Sequence, residues 1–413
     1  MLPFPLPPFG LWLAGGRGNV ATTTAVGAYA IAQGLAAPTG LVTELADLAA
    51  VAWPGLDQIP FGGWDVAETP LLEVARALTG TGGFLRPEHV EAAADWLRRC
   101  DGSIRPGTTR GCGATIERVA GRGASGPAAA LVARFRDDLL AFRDRHHLDT
   151  VVVVNLCSTE PTPPASFPGE DLAALRAAIA ADAPSLPAST LYAVAALEAG
   201  CPWINFTPSP GGSCAALVAL AEERGLPIYG SDGKTGETLM KSALAPLFAA
   251  RHLRVLSWEG YNLLGNGDGA VLNDPANKAA KVASKDHVLA EILGYAPHTR
   301  VGIDYVPSLD DWKTAWDLIH FEGFLGTRMT LQFTWQGCDS ALAAPLILDL
   351  ARLAALARQR GEAGPMTHLC SFFKSPMGET PADLAAQFER LRRYLAQVAA
   401  EAATSRKGAE GGR

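Results

Sequence analysis

Residues 9–33 read FGLWLAGGRGNVATTTAVGAYAIAQ, and this stretch decides the fold of the first part of the chain. An apolar run predicts a strand, a glycine-rich turn follows it, and small residues then predict a helix. The turn carries the pattern Gly16-x-Gly18-x-x-Ala21. Glycines in this position let the backbone approach a pyrophosphate, which the free N–H groups of the helix N-terminus stabilise. The pattern indicates a dinucleotide-binding turn, and a tight strand-to-helix turn without a ligand is the alternative.

A second parallel strand is predicted at residues 39–44, which read TGLVTE. Glu44 lies about 26 residues beyond the glycine turn. An acidic residue at roughly this distance can bind the ribose of a dinucleotide. An exposed loop acid explains Glu44 equally well, so both interpretations stay open.

Strands and helices alternate over the first 230 residues, which predicts a doubly wound α/β sheet. The run VVVV within residues 149–156 has the continuous β-branched character of a central parallel strand that is buried on both faces. Further strands are predicted at 202–206 and 226–230, and amphipathic or apolar helices at 68–100, 126–147, 170–182, 188–200 and 213–225.

The composition changes near residue 239 and again near residue 342. Between these points the chain is richer in charged and aromatic residues. Beyond them, helices are predicted at 341–360 and 381–403 around a short segment at 367–374, and residues 404–413 are predicted to be a disordered tail.

Composition and charge exclude several classes of protein. The 413 residues include 35 Lys and Arg against 42 Asp and Glu, and 48% are hydrophobic, so general disorder is excluded. The net charge of −7 argues against a nucleic-acid-binding protein. Seven scattered cysteines without a CxxC pair, no basic leader and no apolar run of membrane-spanning length predict a cytoplasmic enzyme without a membrane partner.

Residues 231–238 read SDGKTGET and follow the predicted strand at 226–230. Thr235, Gly236 and Thr238 would present hydroxyl and N–H groups at a helix N-terminus, which is an anion site. An ordinary helix cap explains the same residues. Glu237 beside an anion requires either that its side chain faces outward or that a cation accompanies it.

Three lysines, Lys278, Lys281 and Lys285, fall on one helical face. Such a stripe is usually a solvated surface. If the face is enclosed, repulsion and desolvation lower the lysine pKa values and make one of them a candidate base. The polar loop at 262–269, NLLGNGDG, precedes them and is either a functional loop or a plain turn.

Taken together, these segments resemble the myo-inositol-1-phosphate synthase (inositol-3-phosphate synthase) family over residues 9 to about 380. The resemblance is carried by an ordered series of motifs: GGRGNVA at 15–21, GGWD at 62–65, NLCSTEP at 155–161, INFTPSPG at 204–211, SDGKTGET at 231–238, NLLGNGDG at 262–269, Lys281, Lys285, DWK at 311–313, CDS at 338–340 and FFK at 372–374.

The resemblance implies a Rossmann-like NAD-binding domain interrupted by an α+β catalytic and tetramerisation domain, similar to the C-terminal domain of glyceraldehyde-3-phosphate dehydrogenase-like enzymes. We place the first domain at 1–238, the second at 239–342, and a C-terminal segment that returns to the first domain at 343–413. A homotetramer is the expected assembly.

The activity implied by the resemblance is the NAD-dependent conversion of D-glucose 6-phosphate to 1D-myo-inositol 3-phosphate. C5 is oxidised, an enol forms at C6, C6 attacks the C1 aldehyde, and the C5 ketone is reduced again. An NAD(P)-dependent dehydrogenase or an isomerase of a related sugar phosphate is the alternative. A mono- or divalent cation is a further candidate cofactor.

The same resemblance assigns roles to individual residues. The substrate phosphate would be bound by Thr235, Gly236, Glu237, Thr238, Lys285 and Lys313. The catalytic groups would be Lys281, Lys285, Lys313, Lys374, Asp232, Asp268 and Asp339. NAD would be held by Gly16, Arg17, Gly18, Asn19, Val20, Asp65, Asn155, Thr159, Asp232, Thr235, Asn266, Asp268, Asp339 and Ser340. Two departures stand out, because Arg17 lies within the glycine turn and Glu237 stands where many relatives carry Gln.

Overall fold

The computed structural model describes residues 6–48, 51–80, 82–121, 123–265 and 287–410. Its first sheet has seven strands, all parallel, in the order β11-β6-β5-β4-β1-β2-β3. The strands are β1 Phe9–Ala14, β2 Phe61–Asp65, β3 Ile104–Pro106, β4 Thr150–Asn155, β5 Trp203–Asn205, β6 Pro227–Gly230 and β11 Gly364–Pro365. The strand order reverses between β1 and β4, and this point is where α/β sheets of this kind bind their ligands.

The central strands of this sheet are buried on both faces, because alternate residues point into two separate cores. Leu11 of β1 and Val152 of β4 enter one core. Trp12 and Val153 enter the other. The doubly wound sheet predicted from the alternation of strands and helices is therefore confirmed.

Helices cover both faces of the sheet, and their bounds are as follows. They are α1 Asn19–Ala32, α2 Leu71–Ala77, α3 Pro87–Ala92, α4 Ala94–Asp101, α5 Ala114–Val119, α6 Ala128–Arg145, α7 Leu172–Ala180, α8 Ala188–Glu198, α9 Ala215–Arg224, α10 Glu237–Ala250, α11 His287–Leu293, α12 Asp339–Gln359 and α13 Leu384–Glu410. Helices α1 and α12 pack against each other on one face, and α6 packs against α8 on the other.

A second sheet of four strands has the order β10-β9-β7-β8. Its strands are β7 Arg254–Leu264, β8 His298–Tyr305, β9 Trp312–Glu322 and β10 Arg328–Cys338. Strand β7 is parallel to β8, and the other two pairs are antiparallel. Phe248 of α10 and Leu289 of α11 pack on one face of this sheet against Trp258 and Ile319. Helix α10 thus connects the two sheets.

The strand predicted at 39–44 is wrong. Residues Val42–Glu44 form a 3-10 helix, and the strand beside β1 is β2. The local sequence is overridden by α12, whose Asp349 carboxylate accepts hydrogen bonds from the N–H groups of Val42 and Thr43 at 2.7 and 3.0 Å. Glu44 forms an ion pair of 2.7 Å with Arg352 of the same helix, so the ribose-binding interpretation of Glu44 is also wrong.

Two other segments differ from the predictions. The single helix predicted at 68–100 is three helices, α2 to α4, because Gly80, Gly82 and Gly83 interrupt it and Pro87 starts a new helix. Helix α13 continues to Glu410, and the disorder predicted from residue 404 stays a prediction. Residues such as Ala, Arg, Lys and Glu favour a helix there, and no proline stops it.

Helix α12 is long and apolar enough to span a membrane, which the sequence analysis had not recognised. Most of this helix is buried inside the protein, where Ile347, Leu350 and Leu353 belong to one core of the first sheet. Packing against the sheet therefore accounts for its apolar composition.

Candidate active site

One cavity lies at the carboxyl ends of β1, β4, β5 and β6, beside the point where the strand order reverses. Strands β7, β8 and β9 of the second sheet close its other side through Asn262, Ile303 and Lys313. The structure brings many of the predicted site residues to this cavity: Gly18, Asn19, Val20, Thr159, Asp232, Thr235, Glu237, Thr238, Lys313, Asp339, Ser340 and Lys374. Asn266, Asp268, Lys278, Lys281 and Lys285 lie outside the described residues, as does the second half of the predicted loop at 262–269.

The glycine turn has the geometry that a dinucleotide requires. Gly15 has φ of +83°, and a Cβ there would lie 2.9 Å from the backbone carbonyl carbon of Leu156. Gly18 is the N-terminal cap of α1 and lines the cavity. Gly16 does not line the cavity, and a Cβ there would lie 3.1 Å from the carbonyl oxygen of Leu13. The turn leaves the N-terminus of α1 open to an anionic group.

Arg17 and Asp65 fix the glycine turn from behind. Asp65 is the last residue of β2, and its carboxylate accepts hydrogen bonds from the N–H groups of Arg17 at 2.6 Å and Ala67 at 2.7 Å. Burial raises the pKa of Asp65 despite these bonds. The Arg17 guanidinium forms an ion pair of 2.9 Å with Asp101. Neither side chain lines the cavity, so their role as NAD contacts stays a prediction.

Asn155 lies at the end of β4 beneath the loop that carries Thr159. Its Nδ2 donates to Asn205 Oδ1 at 3.0 Å, and its Oδ1 accepts from the N–H of Cys157 at 3.2 Å. Asn155 is fully buried and does not line the cavity. It therefore shapes the cavity floor by joining the ends of β4 and β5.

Asp311 connects four parts of the chain, and the sequence analysis did not assign it a role. Its carboxylate accepts hydrogen bonds at 3.0 Å from Asn19 Nδ2 in the glycine turn, from Cys338 Sγ at the end of β10, and from the N–H and hydroxyl of Ser340 at the start of α12. The DWK motif at 311–313 was the available signal. The partners lie as far as 292 positions away, so spacing along the sequence could not reveal them.

Lys374 and Asp232 form a buried ion pair of 2.7 Å at the cavity. Their pairing depends on an antiparallel bridge between Gly233 and Phe373, flanked by the hydrogen bond from Lys374 N–H to the Asp232 carbonyl at 2.7 Å. The bridge brings a residue from the C-terminal part of the chain to the end of β6. Carboxylate and ammonium are thus held together at the site.

Lys313 places a second ammonium group at the start of α10. Its Nζ lies 3.6 Å from Asp339 Oδ1. A Cβ at Gly236, which caps α10, would lie 2.6 Å from the same Nζ. An anion bound at this helix N-terminus would therefore lie between free N–H groups and the Lys313 charge.

Glu237 neither faces outward nor requires an external cation. Its side chain is buried, and its Oε1 lies 2.7 Å from Nζ of Lys241, one turn further along α10. Asn262 of β7 donates a hydrogen bond to Glu237 Oε2 at 2.5 Å. The accompanying cation is thus supplied by the chain, at an i,i+4 spacing that the sequence analysis overlooked.

Glu160 is a buried acid in the loop that carries Thr159. Its carboxylate accepts hydrogen bonds from the N–H and the hydroxyl of Ser189. Burial raises the pKa of Glu160 from 4.5 to about 7. Between pH 4.5 and 7 the folded chain therefore holds a proton that the unfolded chain has released, and the resulting stabilisation is lost as the pH rises through 7.

We expect the substitution Glu160→Gln to flatten this pH dependence, since the amide imitates the protonated acid. The wild type should lose up to about 3 kcal/mol more of its free energy of unfolding than the variant between pH 4.5 and pH 8. Urea unfolding at several pH values measures this difference. Glu170→Gln, at an exposed position, is the control and should follow the wild type. Parallel pH profiles for wild type and Glu160→Gln would contradict the prediction.

A Rossmann-type sheet, a glycine turn at its switch point and a cluster of lysines and carboxylates together define a dinucleotide-dependent enzyme of the α/β class. A family model described as myo-inositol-1-phosphate synthase, an NAD-binding family, matches residues 9–398. The chain belongs to this family, and the resemblance inferred from the motifs is confirmed.

Individual relatives agree with this assignment. An inositol-3-phosphate synthase of Bacteroides thetaiotaomicron is 32% identical over 429 aligned positions, which cover 95% of this chain and 96% of the relative. An inositol-3-phosphate synthase of Spirodela polyrhiza is 29% identical and covers 85% of this chain and 75% of its own length.

Solved structures share the fold. The inositol-3-phosphate synthase of Caenorhabditis elegans superimposes with a TM-score of 0.86 at 24% identity, over 96% of this chain and 87% of that one. A myo-inositol-1-phosphate synthase-related protein of Thermotoga maritima gives a TM-score of 0.77 at 25% identity, over 94% and 98% of the two chains.

Proposed function

We propose that this enzyme converts D-glucose 6-phosphate into 1D-myo-inositol 3-phosphate with bound NAD. The observation that carries the proposal is the convergence of the Lys374–Asp232 pair and Lys313 on the N-terminus of α10, beside the glycine turn. Family membership supports the same reaction. The alternative of a dehydrogenase for a related sugar phosphate is an outcome of the test below.

The residues at the switch point fit NAD, because Gly15 and Gly18 line the cavity without side chains and leave space for a pyrophosphate at the N-terminus of α1. Gly18, Asn19, Val20, Thr159 and Ser340 would line the bound cofactor, with Gly16, Arg17, Asp65 and Asn155 supporting the turn and floor. When bound, NAD supplies a hydride acceptor for C5 of the substrate and a hydride donor for the final ketone.

The substrate phosphate would bind at the start of α10. Thr235, Gly236 and Thr238 offer N–H and hydroxyl groups there, and Lys313 adds a positive charge at close range. Lys285 completes this set in the proposal. A phosphate fixed in this position orients the sugar toward the glycine turn.

Proton transfer would be carried out around Lys374. The ammonium group, held by Asp232, stabilises negative charge on the C5 ketone oxygen while the enolate forms at C6. Lys281 shares the enolisation and aldol steps in the proposal, and Asp268, Asp339 and Asn266 orient the lysines and the nicotinamide ribose. Burial strengthens these interactions because the local dielectric constant is low.

The test incubates the purified protein with glucose 6-phosphate and NAD, and follows inositol phosphate as periodate-releasable phosphate together with NADH absorbance. Product without net NADH is the expected result. Accumulating NADH without inositol phosphate would replace the proposal with an ordinary dehydrogenase. Absence of both signals with NAD still bound would point to a different sugar phosphate.

A mono- or divalent cation is a further candidate cofactor in this proposal. Asp232, Asp311 and Asp339 all line the cavity. Within the part of the chain that the structure describes, no three His, Cys, Asp or Glu side chains form a metal-binding group. Repeating the assay after EDTA treatment, and with and without KCl, tests this point.

We also propose a homotetramer that buries the open face and edge of the second sheet. Strand β10 is an edge strand, and Arg328 to Gln332 within it are exposed. The preceding turn exposes Phe324 and Leu325 at 87% and 86%. Exposed apolar patches and open strand edges of this kind support association with another chain.

Introducing charge on β10 should therefore break the assembly. We expect the double substitution Met329→Glu and Leu331→Glu to convert the tetramer to smaller species in light scattering coupled to size-exclusion chromatography. Leu35→Glu, an exposed apolar position beyond α1, should leave the assembly unchanged. A wild-type monomer, or a variant that remains tetrameric, would contradict the proposal.

We also propose two domain boundaries and a cytoplasmic location for the enzyme. The strands of the second sheet all lie within 239–342, which supports a second domain in this range, with 238/239 falling within α10 and 342/343 within α12. All seven cysteines are free thiols, which supports a cytoplasmic location.

A further inference from the structure

The first turn of α10 contains an ion pair that no part of the proposed reaction uses. Glu237 and Lys241 are buried, with side-chain exposures of 1% and 0%, and their charged atoms lie 2.7 Å apart. The carboxylate is accommodated by Gly260 of β7, where a Cβ would lie 2.4 Å from Glu237 Oε1. Asn262 of the same strand also binds this carboxylate. The acid is therefore held in one defined place beneath the helix N-terminus.

The position of the Glu237 carboxylate matters because this group is negatively charged. Glu237 is the first residue of α10 and is one of the residues around the cavity where the substrate phosphate would bind, although its carboxylate is buried beneath the helix. A carboxylate that close to a phosphate dianion repels it, and burial weakens the screening by water. Lys241 offsets the carboxylate charge at contact distance and keeps its oxygens directed into the protein.

Two further observations define the surroundings. Asp317 approaches the same pocket, since its Oδ1 would lie 3.2 Å from a Cβ at Gly260, and Trp258 Nε1 donates to that oxygen at 2.7 Å. A second carboxylate near the first increases the need for a cation there.

We propose that Lys241 is a positioning residue for phosphate binding, whose ammonium group cancels the charge of Glu237 and so keeps the N-terminus of α10 available to the substrate phosphate. This inference rests on the proposed function for the identity of the anion. In this proposal the phosphate affinity depends on the net charge of the Glu237–Lys241 pair, and Lys241 does not bind the phosphate directly.

The test measures the affinity for inorganic phosphate by calorimetry on the NAD-loaded enzyme, and KM for glucose 6-phosphate. The pair has a net charge of −1 in Lys241→Met, 0 in the wild type and in the double variant Glu237→Gln/Lys241→Met, and +1 in Glu237→Gln. The affinity for phosphate should increase as this net charge becomes more positive. We expect Lys241→Met to weaken phosphate binding and raise KM on the order of tenfold or more, with kcat changing much less.

Rescue separates this role from a purely structural one. The double variant should recover phosphate affinity to within about threefold of the wild type, because the carboxylate has been removed with its partner. If Lys241→Met does not fold, the comparison of Glu237→Gln with the double variant remains, and Glu237→Gln should bind phosphate more tightly. Equal affinities in these two variants, or no recovery in the double variant, would overturn the proposal.

A matched control removes a buried cation elsewhere. Arg352→Met breaks the ion pair with Glu44 on the far side of α12 and should lower stability without changing phosphate affinity. The experiments distinguish a failure of the role proposed for Lys241 from a failure of the proposed function. A wild type that binds phosphate but makes no inositol phosphate would defeat the function, whereas the order of affinities would still decide the role of Lys241.

Discussion

Replacing Lys374 with methionine abolishes turnover and leaves NAD bound: this is the result that we expect from the arrangement at the end of β6. The ammonium group contacts Asp232 at 2.7 Å within the cavity, and methionine keeps the length of the side chain without its charge. Loss of the group that we propose to stabilise the enolate should lower kcat about a thousandfold or more. Stopped-assay detection of inositol phosphate and a fluorescence titration of NAD measure the two effects.

Lys234 offers a matched control for this substitution. It is another buried lysine, and it lies next to the bridge between Gly233 and Phe373 that also positions Lys374. Its Nζ donates to Gln387 Oε1 at 2.5 Å and does not line the cavity. Burial lowers the pKa of Lys234 to about 8. Lys234→Met should retain turnover. A collapse of NAD affinity in Lys374→Met would show that the division of roles between the lysine and the glycine turn is wrong.

The second large effect is expected from Gly18→Val. Gly18 has φ of −68° and ψ of 163°, an extended conformation that is accessible to valine, and it lines the cavity at the start of α1. A Cβ there would lie 3.3 Å from the carbonyl oxygen of Gly15, so the turn must shift by a few tenths of an ångström to accept it. The added isopropyl group would occupy the space of the pyrophosphate. We expect the Kd for NAD to rise roughly a hundredfold or more, with folding retained, and turnover to disappear with it.

Gly27→Ala is the control for Gly18→Val. It lies in the same helix, and a Cβ there meets nothing within 4 Å. This variant should bind NAD as the wild type does and gain about 0.5 kcal/mol of stability. Both proteins can be compared by NAD titration and thermal unfolding. Unchanged NAD affinity in Gly18→Val would place the cofactor away from the glycine turn.

The parts of the fold that depend on local sequence were predictable. The strand, turn and helix of residues 9–33 follow from apolar runs and glycines that act on their neighbours. The buried run in β4 identified the centre of the sheet in the same way. The SDGKTGET segment was likewise placed correctly at the start of a helix, because cap residues act within a few positions.

The errors arise where distant contacts decide the structure. Residues 42–44 have the composition of a strand but are held as a 3-10 helix by Asp349, more than 300 positions later. Asp311 gains its importance from partners in α1 and α12. The Glu237–Lys241 spacing was visible, but its burial was not, and exposed pairs of this kind are usually of little consequence.

The bridge between Gly233 and Phe373 also has a consequence for the order of assembly during protein synthesis. Asp232 leaves the ribosome long before Lys374, which follows 142 positions later. The sheet that holds the glycine turn can form first, but the reactive ammonium group joins it only when the segment beyond β11 docks. Catalytic competence is therefore acquired only after this segment has docked, and a chain cut short before residue 372 would lack Lys374 as well as Phe372, Phe373 and Leu391 of the core beneath the sheet.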